Sequence, residues 1–310
     1  MPLLNYLKIA RPDHWIKNIF IIPGVALAWL LANRDIEAFH LIKFIAGFFA
    51  TCFIASANYV INEWLDAGYD QYHPVKKNRP VVVDNIQLKY VILEYILFAA
   101  SGLVISLFMG RMFFWNEIWL LVMGILYNVK PIRTKDIVYV DVLTESINNI
   151  IRLMLGWSIL TSEFLPPVSV VFGYWMAGAF LMTAKRYAEY KMIGNPELAA
   201  SYRKSFKYYS ETRLLAATLF YAMCSTFSLG IFLVKYKIEY IFAVPVMFVL
   251  FIYYFILSFR FDSVAQRPEK LYKEKSLMML VGLLVVLLII LSVIRIDALN
   301  QLKIIELLRY

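Results

Sequence analysis

Residues 276–294 read SLMMLVGLLVVLLIILSVI, an apolar run with no ionisable side chain. A helix that crosses the hydrocarbon of a bilayer needs ~20 such residues. Lipid offers backbone groups no water, so a spanning segment must be a helix or part of a closed barrel. Continuous runs, as opposed to short alternating segments, select the helix. Eight more candidate spans lie at 16–33, 40–62, 88–109, 112–128, 137–160, 166–187, 213–234 and 238–259. The expectation is an all-α, polytopic membrane protein: a nine-helix bundle forming one domain over 1–310. Only 17% of residues are charged, against about 25% in soluble domains, and no appended soluble domain or linker is visible.

Basic residues set the orientation. With the N-terminus in the cytoplasm, 22 of the 31 lysines and arginines fall on that side, as the positive-inside rule requires. The loops after spans two, four, six and eight then share the cytoplasmic face of the cell (inner) membrane. The net charge of +9 follows from this topology and from anionic phosphate ligands, so no nucleic-acid partner is expected. Cys52 and Cys224 lie in apolar runs, which excludes a disulfide framework. Basic residues at the N-terminus precede no small-residue cleavage site, so no cleaved signal peptide is expected. Leu3–Ala10 reads as a short amphipathic surface segment. The amphipathic C-terminal stretch from Asp297 leaves two roles open, lying on the membrane or contacting a second copy.

Four polar constellations interrupt the apolar pattern. In NYVINEWLDAGYDQYHPVKKNRP, residues 58–80, Asn58, Asn62, Asp66 and Asp70 step by four and so stack along one helical face. Stacked carboxylates repel unless a cation lies between them. Mg2+ suits hard oxygens, taking one or two carboxylates plus substrate phosphates, and His73, Lys76, Lys77 and Arg79 follow as phosphate partners. The plain alternative is a solvated helix end. In the fifth span, Asp141, Glu145, Asn148, Asn149 and Arg152 share a face. A mid-bilayer charge costs ~2.5–3.5 kcal/mol on insertion scales, so this face is either a cavity wall or a buried tie such as Glu145 with Arg152. Tyr127, Asn128, Lys130, Arg133 and Lys135 form a basic loop just before it. At the end of span six, Lys185, Arg186 and Glu189 read equally well as an i, i+4 pair with positive-inside charge. Arg11 and Lys17 flank Trp15 at the first span, the ordinary interfacial pattern.

Taken together, these segments resemble the UbiA-type prenyltransferase superfamily of nine-helix membrane bundles. Within it they look most like the decaprenyl-phosphate phosphoribosyltransferase branch. RPDHWIKN at 11–18 is similar to that branch's RPxxWxKN, and NEWLDAGYDQYHPVKKNRP at 62–80 to its NDxxDxxxDxxHPxKxxRP. YNVKPIRTKDIVYVDV at 127–142, AKRYAE at 184–189 and RPEKLYKEK at 267–275 follow in the same order. The resemblance implies that Asp66 and Asp70, with Asn62, hold Mg2+ on a diphosphate, and it assigns Lys185 to catalysis. It implies that Lys17, Arg79, Tyr127, Lys130, Asp141, Arg186 and Glu189 bind substrate. The implied reaction moves 5-phosphoribose from phosphoribosyl diphosphate to a polyprenyl phosphate and releases pyrophosphate.

Two departures bear on this. Glu63 stands where the signature has Asp. Prenyl-transferring members usually carry a second Asp-rich motif after the sixth helix, where this chain has Lys185, Arg186 and Glu189, and cations there suit a donor richer in phosphate. The competing enzyme reading joins a prenyl diphosphate to a small acceptor through the same acid pair. A transporter would show broken helices near the midplane, whereas Gly and Pro are sparse in the charged spans.

Overall fold

The structure is a computed structural model that describes residues 3–32, 37–84, 86–260 and 263–299. Among them there is no strand. The helices are α1 (Leu3–Ile9), α2 (Ile22–Ala32), α3 (Ala38–Asp70), α4 (Pro80–Val83), α5 (Leu88–Leu107), α6 (Arg111–Asn128), α7 (Val140–Leu160), α8 (Val168–Ile193), α9 (Pro196–Tyr202), α10 (Glu211–Lys235), α11 (Val244–Ser258) and α12 (Lys275–Val293). A 3₁₀ segment, Pro12–Ile21, leads into α2. The expected C-terminal amphipathic stretch lies, from residue 300 onward, outside the described residues.

Helix occurs at every one of the nine expected spans. Seven stretches among the described residues are long and apolar enough to cross a membrane: Leu4–Leu31, Ala38–Asp70, Leu88–Leu107, Val168–Ile193, Glu211–Lys235, Ile238–Ser258 and Lys275–Val293. The other two expected spans are α6, which carries Arg111 and Glu117, and α7, which carries Asp141, Glu145 and Arg152. Their charge comes with internal partners. Thr51 Oγ1 donates to Glu117 Oε1 at 2.5 Å, and Arg152 donates to Asn18 Oδ1 at 2.9 Å and to the Asn148 carbonyl at 3.2 Å. Arg152 is thus tied to the Pro12–Ile21 segment and not to Glu145.

The chain forms two compact units, Met1–Pro166 with Tyr190–Arg213, and Pro167–Glu189 with Leu214–Tyr310. In the first, Ile21, Ile54, Phe113, Leu120, Ile151 and Leu155 build a core shared by α3, α6, α7 and the Pro12–Ile21 segment. Helices α2 and α7 meet backbone to backbone. A Cβ on Gly24 would run into the Leu153 carbonyl, and one on Gly156 into the Ile21 carbonyl. Small residues give membrane helices this close approach. In the second unit Phe180 of α8 packs on Phe251 and Tyr254 of α11, and Ser225 of α10 donates to the Gly173 carbonyl at 2.9 Å.

Helix α3 positions the acid pair. Its 33 residues make a rod of ~50 Å at 1.5 Å per residue, well beyond the ~30 Å of hydrocarbon. It therefore continues without a break from its apolar half, Phe44 to Ile61, through Asn62, Asp66 and Asp70.

Candidate active site

Asp66 is held by the loop between α6 and α7. Arg133 Nη2 donates to Asp66 Oδ1 at 2.9 Å and Lys135 Nζ to the same oxygen at 2.5 Å. Lys135 also donates to Asn62 Oδ1 at 3.1 Å and Asn128 Oδ1 at 2.6 Å. Burial of its ammonium pushes Lys135 down to about 8 against the pull of Asp66, with Arg133 adding to the decrease. Two non-glycine residues bend this loop through left-handed backbone, Arg133 at φ 32 and Tyr139 at φ 63. The first bend brings two cations, two residues apart, onto one carboxylate.

Asp70 has its own cation. Arg79 Nη1 donates to Asp70 Oδ2 at 2.6 Å while its Nε lies 3.3 Å from Glu63 Oε1. Burial works to release the Arg79 proton, but Glu63 and Asp70 outweigh it and hold the guanidinium above its ordinary value. Glu63 is therefore turned away from a metal-ligand role. It is ion-paired with Arg79 on one side, at 3.3 Å, and with Arg11 Nε on the other, at 3.5 Å.

The segment from α9 to the start of α10 completes this part of the site. Asn195 caps α9 by accepting from the N–H groups of Glu197 and Leu198. At the end of the helix, Tyr202 and Arg203 join Asp66, Tyr69, Asp70, Arg133, Lys135 and Asp136 around a cavity of about 20 Å³, room for about one water. Tyr202 is packed by the ring of His73 at 4.7 Å, and its hydroxyl accepts from Lys76 Nζ. Arg203 Nη1 donates to Tyr127 Oη at 3.2 Å and lies 3.9 Å from Asp141 Oδ2. Tyr127 donates to Glu145 Oε2 at 2.8 Å.

The other expected residues lie as follows. Asp141 is fully buried. Its oxygens accept from Tyr209 Oη at 2.7 Å and Ser205 Oγ at 3.1 Å, so it ties the 203–209 segment to α7. Lys130 is exposed on the turn after α6, while Lys135 of the same loop is buried against Asp66. Lys17 lies against His14 at 2.7 Å and the Tyr59 ring at 6.0 Å. In the second unit, Arg186 donates to Glu189 at 3.0 Å, both buried, while Lys185 is half-buried. Neither Arg203 nor Tyr202 was singled out by sequence. Both sit in a polar stretch that reads like any loop, and only the density of Arg and Lys from 203 to 213 hinted at a role.

The donor set suits a hard divalent ion. Asn62, Asp66 and Asp70 present only oxygens, and among the described residues no group of three or more His, Cys, Asp or Glu gathers as a metal cluster. A site of two carboxylates is one that substrate oxygens must complete.

Residues 20–283 match the model of the UbiA prenyltransferase family. A decaprenyl-phosphate phosphoribosyltransferase of Corynebacterium glutamicum is 24% identical over 226 residues, covering 67% of this chain and 60% of that protein. Nodulation protein NoeC of Azorhizobium caulinodans is 32% identical over 80 residues, covering 26% of this chain and 24% of that protein. The chain thus spans less than two thirds of the length of either relative. A solved UbiA homolog from Archaeoglobus fulgidus, bound to GPP and Mg2+, superposes with a TM-score of 0.67 at 18% identity over 94% of this chain and 100% of that one, which establishes the fold. With a family match that runs through both compact units and an all-helical membrane architecture, the chain belongs to the UbiA prenyltransferase family.

Proposed function

We propose that this membrane transferase moves 5-phosphoribose from phosphoribosyl diphosphate to a polyprenyl phosphate, in a Mg2+-dependent reaction that releases pyrophosphate. The observation that carries the reading is Arg203. The segment after α8 brings a cation and a phenol, Arg203 and Tyr202, to the acid pair. Four cations, Arg79, Arg133, Lys135 and Arg203, then surround Asp66 and Asp70. A donor with a 5-phosphate as well as a diphosphate uses that surplus, and a prenyl diphosphate does not.

In this reading Asn62, Asp66 and Asp70 hold Mg2+, which when bound offsets charge on the departing pyrophosphate. Arg79, Arg133 and Lys135 exchange carboxylate oxygens for phosphate oxygens, charge-assisted bonds of the same kind. Tyr127, Asp141 and Glu145 orient Arg203. The C1–O bond to pyrophosphate breaks as an oxygen of the lipid phosphate bonds to C1. That phosphate is already anionic at neutral pH, so no general base is needed. Lys17, Lys130, Lys185, Arg186 and Glu189 remain proposed substrate contacts. The excess of Lys and Arg on one set of loops supports a cytoplasmic active site and N-terminus in an inner membrane, and the match across both units supports one domain over 1–310.

The test supplies purified protein and Mg2+ with labelled phosphoribosyl diphosphate plus a polyprenyl phosphate, and in parallel with a labelled prenyl diphosphate plus small acceptors. A labelled lipid in the first arm is expected. Product in the second arm alone would overturn the phosphoribosyl reading.

A further inference from the structure

A second, larger cavity of about 540 Å³ opens beside α1, lined by Leu4, Leu7, Lys8, Arg11, Pro12, Asp13, Glu63, Arg79 and Pro80. Its walls divide by chemistry. Leu4 and Leu7 are exposed on the outer side of α1, while Ile9 and Ala10 at its end are buried against Val60, Val81 and Val91. Exposed leucines beside basic residues on a short helix suit contact with lipid at a membrane surface. Lys8 and Arg11 stand next to those leucines.

Arg11 reaches the cavity through a backbone that an arginine rarely adopts, φ 54 and ψ 57. Strain of this kind persists where the surroundings impose it. Here it ends α1 and sends the guanidinium toward Glu63, 3.5 Å away. The opposite wall is Arg79, whose Nε faces Glu63 in this cavity while its Nη1 holds Asp70 at the smaller one. One guanidinium therefore lines the larger cavity and reaches a carboxylate that lines the smaller. Glu63 keeps both arginines in place, and Asp13, largely exposed, lies at the rim near His14.

We infer that this cavity receives the phosphate headgroup of the polyprenyl phosphate acceptor, its chain leaving over Leu4 and Leu7. The inference rests on the proposed reaction and deepens it. A phosphomonoester that carries a long apolar tail needs cations beside an apolar exit, and Lys8, Arg11 and the two leucines supply both. The shared Arg79 sets the acceptor phosphate next to the site of the donor diphosphate. The same arrangement accounts for Glu63, which holds two arginines on the acceptor side and reaches them through the extra methylene it has over Asp.

The test places p-benzoylphenylalanine at Leu7 in the full-length protein in nanodiscs and irradiates it with radiolabelled polyprenyl phosphate. Cross-linking is expected, competed by unlabelled polyprenyl phosphate and not by phosphatidylglycerol or inorganic phosphate. Competition by phosphatidylglycerol would assign the cavity to bulk anionic lipid and overturn the inference, and absence of a cross-link would overturn it as well. Alongside this, Lys8→Gln/Arg11→Gln should raise KM for polyprenyl phosphate about tenfold or more and leave KM for the donor within about twofold. Equal effects on both would overturn the assignment. Cross-linking uses no turnover. A protein that cross-links yet transfers prenyl groups would refute the phosphoribosyl reaction alone, and one that transfers phosphoribose without cross-linking would refute the acceptor cavity alone.

Discussion

Asp66 and Asp141 are both carboxylates near the ends of helices in the same compact unit, and they are held in opposite ways. Asp66 keeps 17% of its side chain exposed at a cavity and accepts from two cations. Asp141 has no exposure and accepts from two hydroxyls. The cations on Asp66, Arg133 and Lys135, are themselves buried, yet each can exchange a carboxylate oxygen for a phosphate oxygen in a bond of the same kind. Tyr209 and Ser205, equally buried, hold Asp141 through neutral hydroxyls that tie it to the 203–209 segment. On the proposed reading the first carboxylate serves the chemistry, while the second keeps the 203–209 segment in place.

The sharpest way to break this contrast is at the acid pair. Asp66→Asn and Asp70→Asn should each lower turnover by about 10²–10³-fold, the scale of losing one preorganised electrostatic partner, and should also lower the denaturation midpoint, because each leaves buried cations without their counter-charge. Near-normal turnover in either variant would end the metal-ligand assignment. Asp141→Ala should act on stability through lost hydroxyl bonds and not through a lost ion pair with a metal ligand. Leaving buried hydroxyls without their acceptor costs about 2–4 kcal/mol, to be read as a lower denaturation midpoint, and Asp141→Asn should recover part of it. Tyr209→Phe is a milder probe of the same tie, expected to cost about 1–2 kcal/mol; an unchanged midpoint would argue against it. The smallest effect is in Lys135. Its pKa is depressed in the folded protein, so its contribution to stability is complete above the unfolded value near 10.5 and falls away as pH drops through about 8. Metal-free protein should therefore gain stability between these limits relative to Lys135→Met, and parallel curves would show that the ammonium is not buried as described.

Hydropathy was enough to locate the helices, because a membrane span advertises itself by length and composition. It was not enough to say where α3 ends. Asn62, Asp66 and Asp70 were legible as a stacked face from their spacing, but nothing local distinguishes a helix that stops at the membrane surface from one that continues. The cations around them were harder to read. Lys130 and Lys135 look alike in a basic loop, and that Lys135 meets Asp66 goes with left-handed backbone at Arg133 and Tyr139, positions where the usual glycine or asparagine signal is missing. Arg203 is further still, more than a hundred residues along the chain from Asp66, and its approach depends on how Asp141 packs.

The unbroken length of α3 has a consequence for how such a site can vary. Since the apolar crossing and the acid pair lie on one rod, the height of the carboxylates above the hydrocarbon and the direction they face are a single variable, set by helical pitch. Inserting one residue between them would turn the pair by ~100° and lift it by ~1.5 Å, swinging Asp66 away from Arg133 and Lys135. Inserting seven would return the face and lift it by ~10 Å. Helix α3 thus serves as a ruler graduated in pairs of turns, and adaptation to a thicker or thinner bilayer must come from the other end of it.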